Sequence, residues 1–342
     1  MTEDTPRVVV VGLGGTIAMT GTPTGGAVPA LSPSELLAAV PGLEGFDVDV
    51  VDLRRVPGAS VRFADLTAVR QVIASRLASG ADGIVVTQGT DTIEETSYLL
   101  DLTYAGSAPV VVTGAMRNAS LAGADGPANL LAAVRTAADP RARDQGVLVV
   151  FADEIHAARR VRKSHSTSPG AFRSPDGGPL GYVVEGRPVL LGRLTHRTVV
   201  PVPDDAPTPR VGLVVVTLDD DGELLRAAAE RYDGLVVAGF GVGHVPEHLV
   251  SVVSDVAARI PVVLASRTGA GSVLAGMYAF PGSEADLLSR GLLRAGFLDA
   301  LKARILLRTL LQVTTDRETI AAAFAAAGGY ADPAAWPWPT GG

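Results

Sequence analysis

The chain contains no cysteine, and that single absence removes disulfides, thiolate nucleophiles and thiolate metal sites from consideration. No uninterrupted apolar run approaches the roughly 20 residues that span a bilayer. Nothing at the start reads as a signal peptide, because Met1-Thr2-Glu3-Asp4 is acidic and the apolar stretch Val8–Val11 gives way at once to glycines. Basic residues are outnumbered, 29 against 36 acidic, for a net charge of -7. They are scattered apart from the run Arg159-Arg160-Val161-Arg162-Lys163, so no electrostatic footprint for nucleic acid is present. These absences predict a soluble cytoplasmic protein with a small-molecule partner, with no role for nucleic acid or membrane. Its reagents must come from hydroxyls, carboxylates, lysines and five histidines.

What is present is an ordinary globular composition, 47% apolar and 19% charged, over 342 residues. That length exceeds the usual single domain, so two domains are expected. Short β-branched runs without polar alternation mark parallel strands buried on both faces: Val8–Val11, Gly83–Thr87, Val110–Thr113, Val147–Phe151, Val211–Thr217, Gly234–Ala238 and Val262–Ala265. Helices are expected between and after them, over Ser34–Val40, Phe63–Ser79, Thr92–Leu102, Gly126–Ala138, Leu224–Tyr232, Glu247–Arg259 and Asp299–Leu311. The alternation predicts an α/β fold of two domains: a larger N-terminal one, mainly a parallel sheet flanked by helices, and a smaller C-terminal α/β one. Four prolines and an acidic pair in Val199–Arg210 read as a linker, which places the domains at 1–198 and 211–342. The tail Tyr330–Gly342, with three prolines and two tryptophans, is expected to be irregular.

Four segments carry candidate chemistry. The first strand runs into Gly12-Leu13-Gly14-Gly15-Thr16-Ile17-Ala18, a turn where backbone can approach a ligand closely and where Thr16 stands at a strand's carboxyl end. A dinucleotide fingerprint would need a third glycine where Ile17 stands, although Asp52 is placed to serve as its acidic partner. The second strand end is Thr87-Gln88-Gly89-Thr90-Asp91-Thr92-Ile93-Glu94-Glu95-Thr96. Helix capping and the helix dipole explain much of that run, but not a Thr-Asp pair directly after the glycine at a second strand end. The third segment joins Gly114-Ala115-Met116-Arg117 to the turn Asp125-Gly126-Pro127. Its Gly114-Ala115 strand end is placed to offer a backbone carbonyl to an amide. The fourth is the basic run, ordinarily a solvated face, from which one lysine folded towards Asp91 would be shielded and able to exchange a proton.

Taken in order, Gly14-Gly15-Thr16-Ile17-Ala18, Gly89-Thr90-Asp91-Thr92 with Glu94-Glu95-Thr96, Gly114-Ala115-Met116-Arg117 and Asp125-Gly126-Pro127 resemble the bacterial L-asparaginases, a family that includes asparaginase-glutaminases. The resemblance runs from about Val8 to Leu311 and continues in Lys302-Ala303-Arg304. It implies a threonine nucleophile at Thr16, a relay through Thr90, Asp91 and Lys163, and release of ammonia from L-asparagine through an acyl-enzyme, without metal or organic cofactor. A threonine hydroxyl attacks an amide at neutral pH only when a base takes its proton, so the physical requirement agrees. Asp91 would hold the substrate's α-ammonium, Gly58-Ala59-Ser60 its α-carboxylate, Gly89 and Ala115 would line the site, and the Gly89–Thr90 turn would supply oxyanion donors.

Departures from the pattern matter as well. Family members with a mobile lid often carry a tyrosine after the first threonine, and Met19–Leu31 contains none, so either the lid works differently here or a threonine such as Thr22 or Thr24 substitutes. His244 stands in the glycine loop Gly241-Val242-Gly243-His244 where many relatives have asparagine. That loop and Glu284, placed by counting back from Lys302-Ala303-Arg304, are implied to reach a neighbouring subunit's site in a homo-oligomer, a tetramer of two close dimers or a dimer. Three readings compete. A nucleotide-binding oxidoreductase rests on the first glycine turn alone, and a non-catalytic amino-acid sensor would need neither nucleophile nor relay. The related archaeal amidotransferase subunit carries an additional N-terminal domain, whereas here the first motif starts at residue 12.

Overall fold

The computed structural model describes residues 5–21, 27–29, 32–38 and 40–339, and its chain divides into two compact units between Arg197 and Thr198. In the first unit the strands of the main sheet are β1 (Arg7–Gly14), β2 (Asp47–Val56), β3 (Gly83–Thr87), β4 (Val110–Thr113), β5 (Val147–Phe151), β6 (Glu154–Ala157), β7 (Gly181–Val184) and β8 (Arg187–Leu190). They form one sheet in the order β8-β7-β6-β5-β4-β3-β1-β2. The five strands from β5 to β2 are mutually parallel, and β6 to β8 add an antiparallel extension. Among the helices are α1 (Pro33–Ala38), α2 (Phe63–Ala78), α3 (Ile93–Thr103) and α4 (Gly126–Ala138).

The parallel strands read as continuous apolar runs because both of their faces are covered. Val8, Val10, Val85, Val111, Leu148 and Val150 form one core with Leu130, Ala133, Val134 and Ala137 of α4, all at most 1% exposed. Each such valine or leucine removed from water contributes on the order of 1.5–3 kcal/mol. The four α4 residues recur at the spacing of one helical stripe, and Pro127 in its first turn follows the N-cap Asp125.

The second unit holds a four-stranded parallel sheet in sequence order, β9 (Val211–Val215), β10 (Gly234–Gly239), β11 (Val262–Ser266) and β12 (Leu293–Arg294). Its helices are α5 (Glu223–Ala229), α6 (Val250–Arg259), α7 (Glu284–Ser289), α8 (Ala300–Leu310) and α9 (Arg317–Ala327). The two-unit α/β architecture is the one expected. Several elements differ from expectation: β2, the antiparallel strands, α7 and α9 were not foreseen, and α5 ends at Ala229 rather than Tyr232. The tail is mostly irregular but holds a short turn at Pro333–Ala335, and the indole Nε1 of buried Trp336 donates to the Val199 carbonyl at 3.0 Å. No helix of the described residues is long and apolar enough to cross a membrane.

Candidate active site

Between β1 and β3 the strand order reverses: chain connectivity leads from β1 outward to β2 on one side, and the next strand, β3, lies on the other. In open α/β sheets, ligands bind outside the carboxyl ends of the strands at such a switch point. Here the turns after β1, β2 and β3 meet backbone to backbone. A side-chain carbon added at Gly15 would lie 1.9 Å from the Gly89 nitrogen, and one added at Gly89 would lie 2.5 Å from the Gly58 nitrogen and 3.2 Å from the Gly15 Cα. Gly15 has φ 84 and ψ -173, a conformation essentially confined to glycine. This three-way contact brings Thr16, which follows Gly15, and Thr90, which follows Gly89, to the same place, with Gly58-Ala59-Ser60 beside them.

Side chains tie the turns further. Gln88, fully buried, donates through Nε2 to the Gly89 carbonyl and to Thr92 Oγ1, both at 3.2 Å, and Thr92 Oγ1 donates to the Gly58 carbonyl at 3.1 Å. Thr90 is buried at the head of a helical turn, Thr90–Thr92, that runs into α3. Thr16 is partly exposed, and Asp91, Ala59 and Ser60 are exposed. A buried Thr90 and a partly exposed Thr16 on adjoining turns, with the exposed carboxylate of Asp91 next in sequence to Thr90, form an arrangement fitted to a small polar ligand.

Lys163 joins this group from far along the chain. It sits on a two-residue ribbon, Arg162–Lys163 paired antiparallel with Phe172–Arg173. Its Nζ donates to Thr90 Oγ1 at 2.8 Å and lies 3.5 Å from Asp91 Oδ1, with the side chain 17% exposed. The basic run is thus split by environment: Arg159 is drawn to the carbonyl of His196 at 3.0 Å and to Asp101 at 3.4 Å, while Arg160 faces solvent. Glu94, which in the sequence is explained by the helix dipole and stands within the family motif, is not among the residues assigned there to the site. It is buried and accepts the Lys163 backbone N–H at 3.1 Å. No local pattern signals a contact across 69 residues.

The β4 turn is held by two side chains of the following segment. Asp125 accepts the amides of Met116 and Arg117 at 3.0 and 2.8 Å, and Asn129 Nδ2 donates to the Gly114 carbonyl at 3.0 Å while its Oδ1 accepts Ala152 N–H at 3.0 Å. The Gly114 carbonyl thus has one donor already, and Ala115, the next residue, is fully buried. Thr22 and Thr24 lie outside the described residues.

In the second unit His244 and Glu284, singled out separately in the sequence, are partners: His244 Nε2 stands 3.1 Å from Glu284 Oε2. Burial works to raise the Glu284 pKa, but the amides of Tyr278, Glu284 and Met277 together with His244 hold it below the usual value. The His244 ring meets Tyr278 and Phe280 edge-on, each with centroids 5.0 Å apart, and both aromatics are exposed.

Comparison with known proteins adds the following. A family model described as the asparaginase N-terminal domain matches residues 7–195, and one described as the glutaminase/asparaginase C-terminal domain matches residues 210–324. A probable L-asparaginase of Deinococcus radiodurans is 38% identical over 330 residues, covering 95% of this chain and 98% of its own. L-asparaginase 2 of Escherichia coli is 32% identical over 328 residues, covering 92% and 91%. The crystal structure of a probable cytoplasmic L-asparaginase from Campylobacter jejuni is similar with TM-score 0.84 at 32% identity, covering 93% of this chain and 99% of that one.

Proposed function

The chain belongs to the asparaginase family and is an amidohydrolase that acts on L-asparagine, and we propose that Thr16, Thr90, Asp91 and Lys163 carry out the hydrolysis to L-aspartate and ammonia. In this reading the Thr16 hydroxyl attacks the side-chain amide carbon and its proton passes to the Thr90–Lys163 pair. The proton is returned to the departing nitrogen, ammonia leaves, and water then cleaves the resulting ester. N–H groups of the Gly89–Thr90 turn face the oxygen that gains charge, each such donor being worth about 3 kcal/mol in the transition state. Exposed Asp91 takes the substrate's α-ammonium, the open Ser60 and Ala59 beside Gly58 take its α-carboxylate, and the Ala115 carbonyl takes the amide nitrogen.

The observation that carries the assignment is the 2.8 Å contact between Lys163 Nζ and Thr90 Oγ1 at the switch point. A solvated charge has no reason to leave water for a buried hydroxyl, whereas a proton relay requires that contact. A non-catalytic sensor would gain nothing from it. Weaker turnover of L-glutamine accompanies this reading, since one methylene in a pocket discriminates by only about 1–3 kcal/mol.

The same reading places His244 and Glu284 at the edge of a neighbouring subunit's site in a homo-oligomer, a tetramer or dimer. It locates the enzyme in the cytoplasm, as the name of the Campylobacter jejuni neighbour has it for that protein. Ammonia release from L-asparagine and L-glutamine, measured for the natural chain and for Thr16→Ala, tests the proposal. The variant should be folded and inactive on both amides. Substantial residual turnover, or an acyl adduct trapped elsewhere, would move the nucleophile.

A further inference from the structure

A base that works through a 2.8 Å contact must be held in place, and the ribbon that carries Lys163 is a weak holder. It is two residues long on each side, and an isolated two-stranded ribbon is marginal in water. Its partner strand is anchored: Phe172 is buried with its ring 4.7 Å from that of Phe151, and Ser164 N–H donates to the Ala171 carbonyl at 2.7 Å. Those contacts fix the ribbon to β5 but not to the turn that bears Thr90 and Asp91.

Glu94 supplies that second tie. It lies in the first turn of α3, immediately after the Thr90–Thr92 turn, and its Oε2 receives the Lys163 backbone N–H at 3.1 Å. A carboxylate placed only to favour the helix dipole would stay in water, as its neighbour Glu95 does in part, yet Glu94 is 7% exposed. Burying it carries a desolvation cost that a merely helpful surface charge would not incur.

We infer that Glu94 is a positioning residue for the reaction, setting the reach of the Lys163 amine to Thr90 by fixing the Lys163 backbone to the helix that follows Thr90. The inference rests on the relay proposed above. It is specific about the atom that matters, because the hydrogen bond needs an acceptor at the end of a glutamate-length side chain and does not need a charge.

Two near-isosteric variants separate the readings. Glu94→Gln keeps the acceptor at full reach and removes the charge; Glu94→Asp keeps the charge at the helix N-terminus and withdraws the acceptor by one methylene. Positioning predicts that Glu94→Gln retains kcat within about threefold while Glu94→Asp loses ten- to a hundredfold, on the order expected for a misplacement near 1 Å, with KM for L-asparagine within about twofold in both. In a Lys163→Met background the Glu94→Asp penalty should vanish, since a residue acting through Lys163 has nothing left to position. The reverse ranking, with Asp near the natural rate and Gln slow, overturns the inference in favour of a charge role. So does an equal penalty with and without Lys163. A Lys163→Met variant with near-natural turnover instead removes the relay itself, a failure distinct from either.

Discussion

Gly15→Ala is the substitution whose consequence follows most directly from the geometry. An alanine there must hold φ 84 and ψ -173 with its Cβ 1.9 Å from the Gly89 nitrogen, 2.2 Å from the Gly89 Cα and 2.6 Å from the Gln88 carbonyl carbon. Ordinary contacts between such atoms are about 3.5–4.0 Å, so the two turns must part by roughly 1.5 Å or more, and the atoms in the way are backbone that no rotamer change can clear. The backbone conformation costs about 1–3 kcal/mol for a residue with a side chain and the overpacking about 1–3 more. Together, about 2–6 kcal/mol is lost from a fold of typical stability 5–15 kcal/mol. The separation falls between Thr16 and Thr90, where a misplacement of about 1 Å costs on the order of a hundredfold in rate. Calorimetry should show a lowered Tm, and ammonia release per folded molecule should drop at least a hundredfold. Gly45→Ala, into open space, serves as control and should leave both unchanged. A Gly15→Ala enzyme with natural turnover and natural Tm would show that the turns need not touch, and the account of the site would fail with it.

Further outcomes are expected. Lys163→Met should lower kcat by about a hundred- to ten-thousandfold with little change in KM, as for a general acid–base group, while Arg160→Met should change stability by under about half a kcal/mol; equal, mild effects would remove Lys163 from the site. Thr90→Val should be nearly as damaging to turnover as Thr16→Ala, and a fully active pair would refute the mechanism. His156 is buried beside Ser174, with Nδ1 and Oγ 3.0 Å apart, and desolvation lowers its pKa from 6.5 to about 4 against the pull of Glu154. The imidazole stays neutral in the fold while the unfolded chain takes up a proton, so stability should fall as pH drops from about 6.5 to about 4, by roughly 3 kcal/mol. Denaturant melts of His156→Gln should show a flatter profile over that window. Sedimentation should find a homo-oligomer, and an active monomer would dissociate His244 and Glu284 from the chemistry.

The interior of the fold was legible because parallel strands covered on both faces leave an unbroken apolar signature: Gly83–Thr87, Val110–Thr113 and Val147–Phe151 fall where the apolar runs put them. Strand β2 was hidden by its position at the sheet edge, where Asp47, Asp52, Arg54 and Arg55 stand exposed along it. The antiparallel extension was hidden by its turns. Ala152 and Asp153 take φ 50 and 61 at the β5–β6 hairpin without the Asn-Gly or Asp-Gly pair that ordinarily marks such a turn. Helix α9 escaped because Ile320 and Phe324 stand alone among alanines, which carry little periodic signal, though its N-cap Asp316 accepts Thr319 N–H at 2.9 Å in the usual way. Of the proposed site, Thr16, Thr90 and Asp91 are candidates that strand-end position and the family resemblance supply. The contacts of Glu94 and Asn129 are not supplied in that way, because their partners lie 69 and 15 to 23 residues away and only the tertiary fold brings them together.

The meeting of Gly15, Gly58 and Gly89 also limits how this enzyme can change. A crowded core contact is usually relieved by shrinking a neighbour, so that one substitution opens room for another. Here every participant is already the smallest residue there is, and no second substitution among the three can restore the space that a first one takes. Relief would require whole strands to shift against their hydrogen-bonded partners, at the expense of the sheet. On the proposed reading, new substrate preferences arise from residues of the same unit beside the junction, such as Ser60 and Asp91, while the junction itself admits no gradual path of alteration.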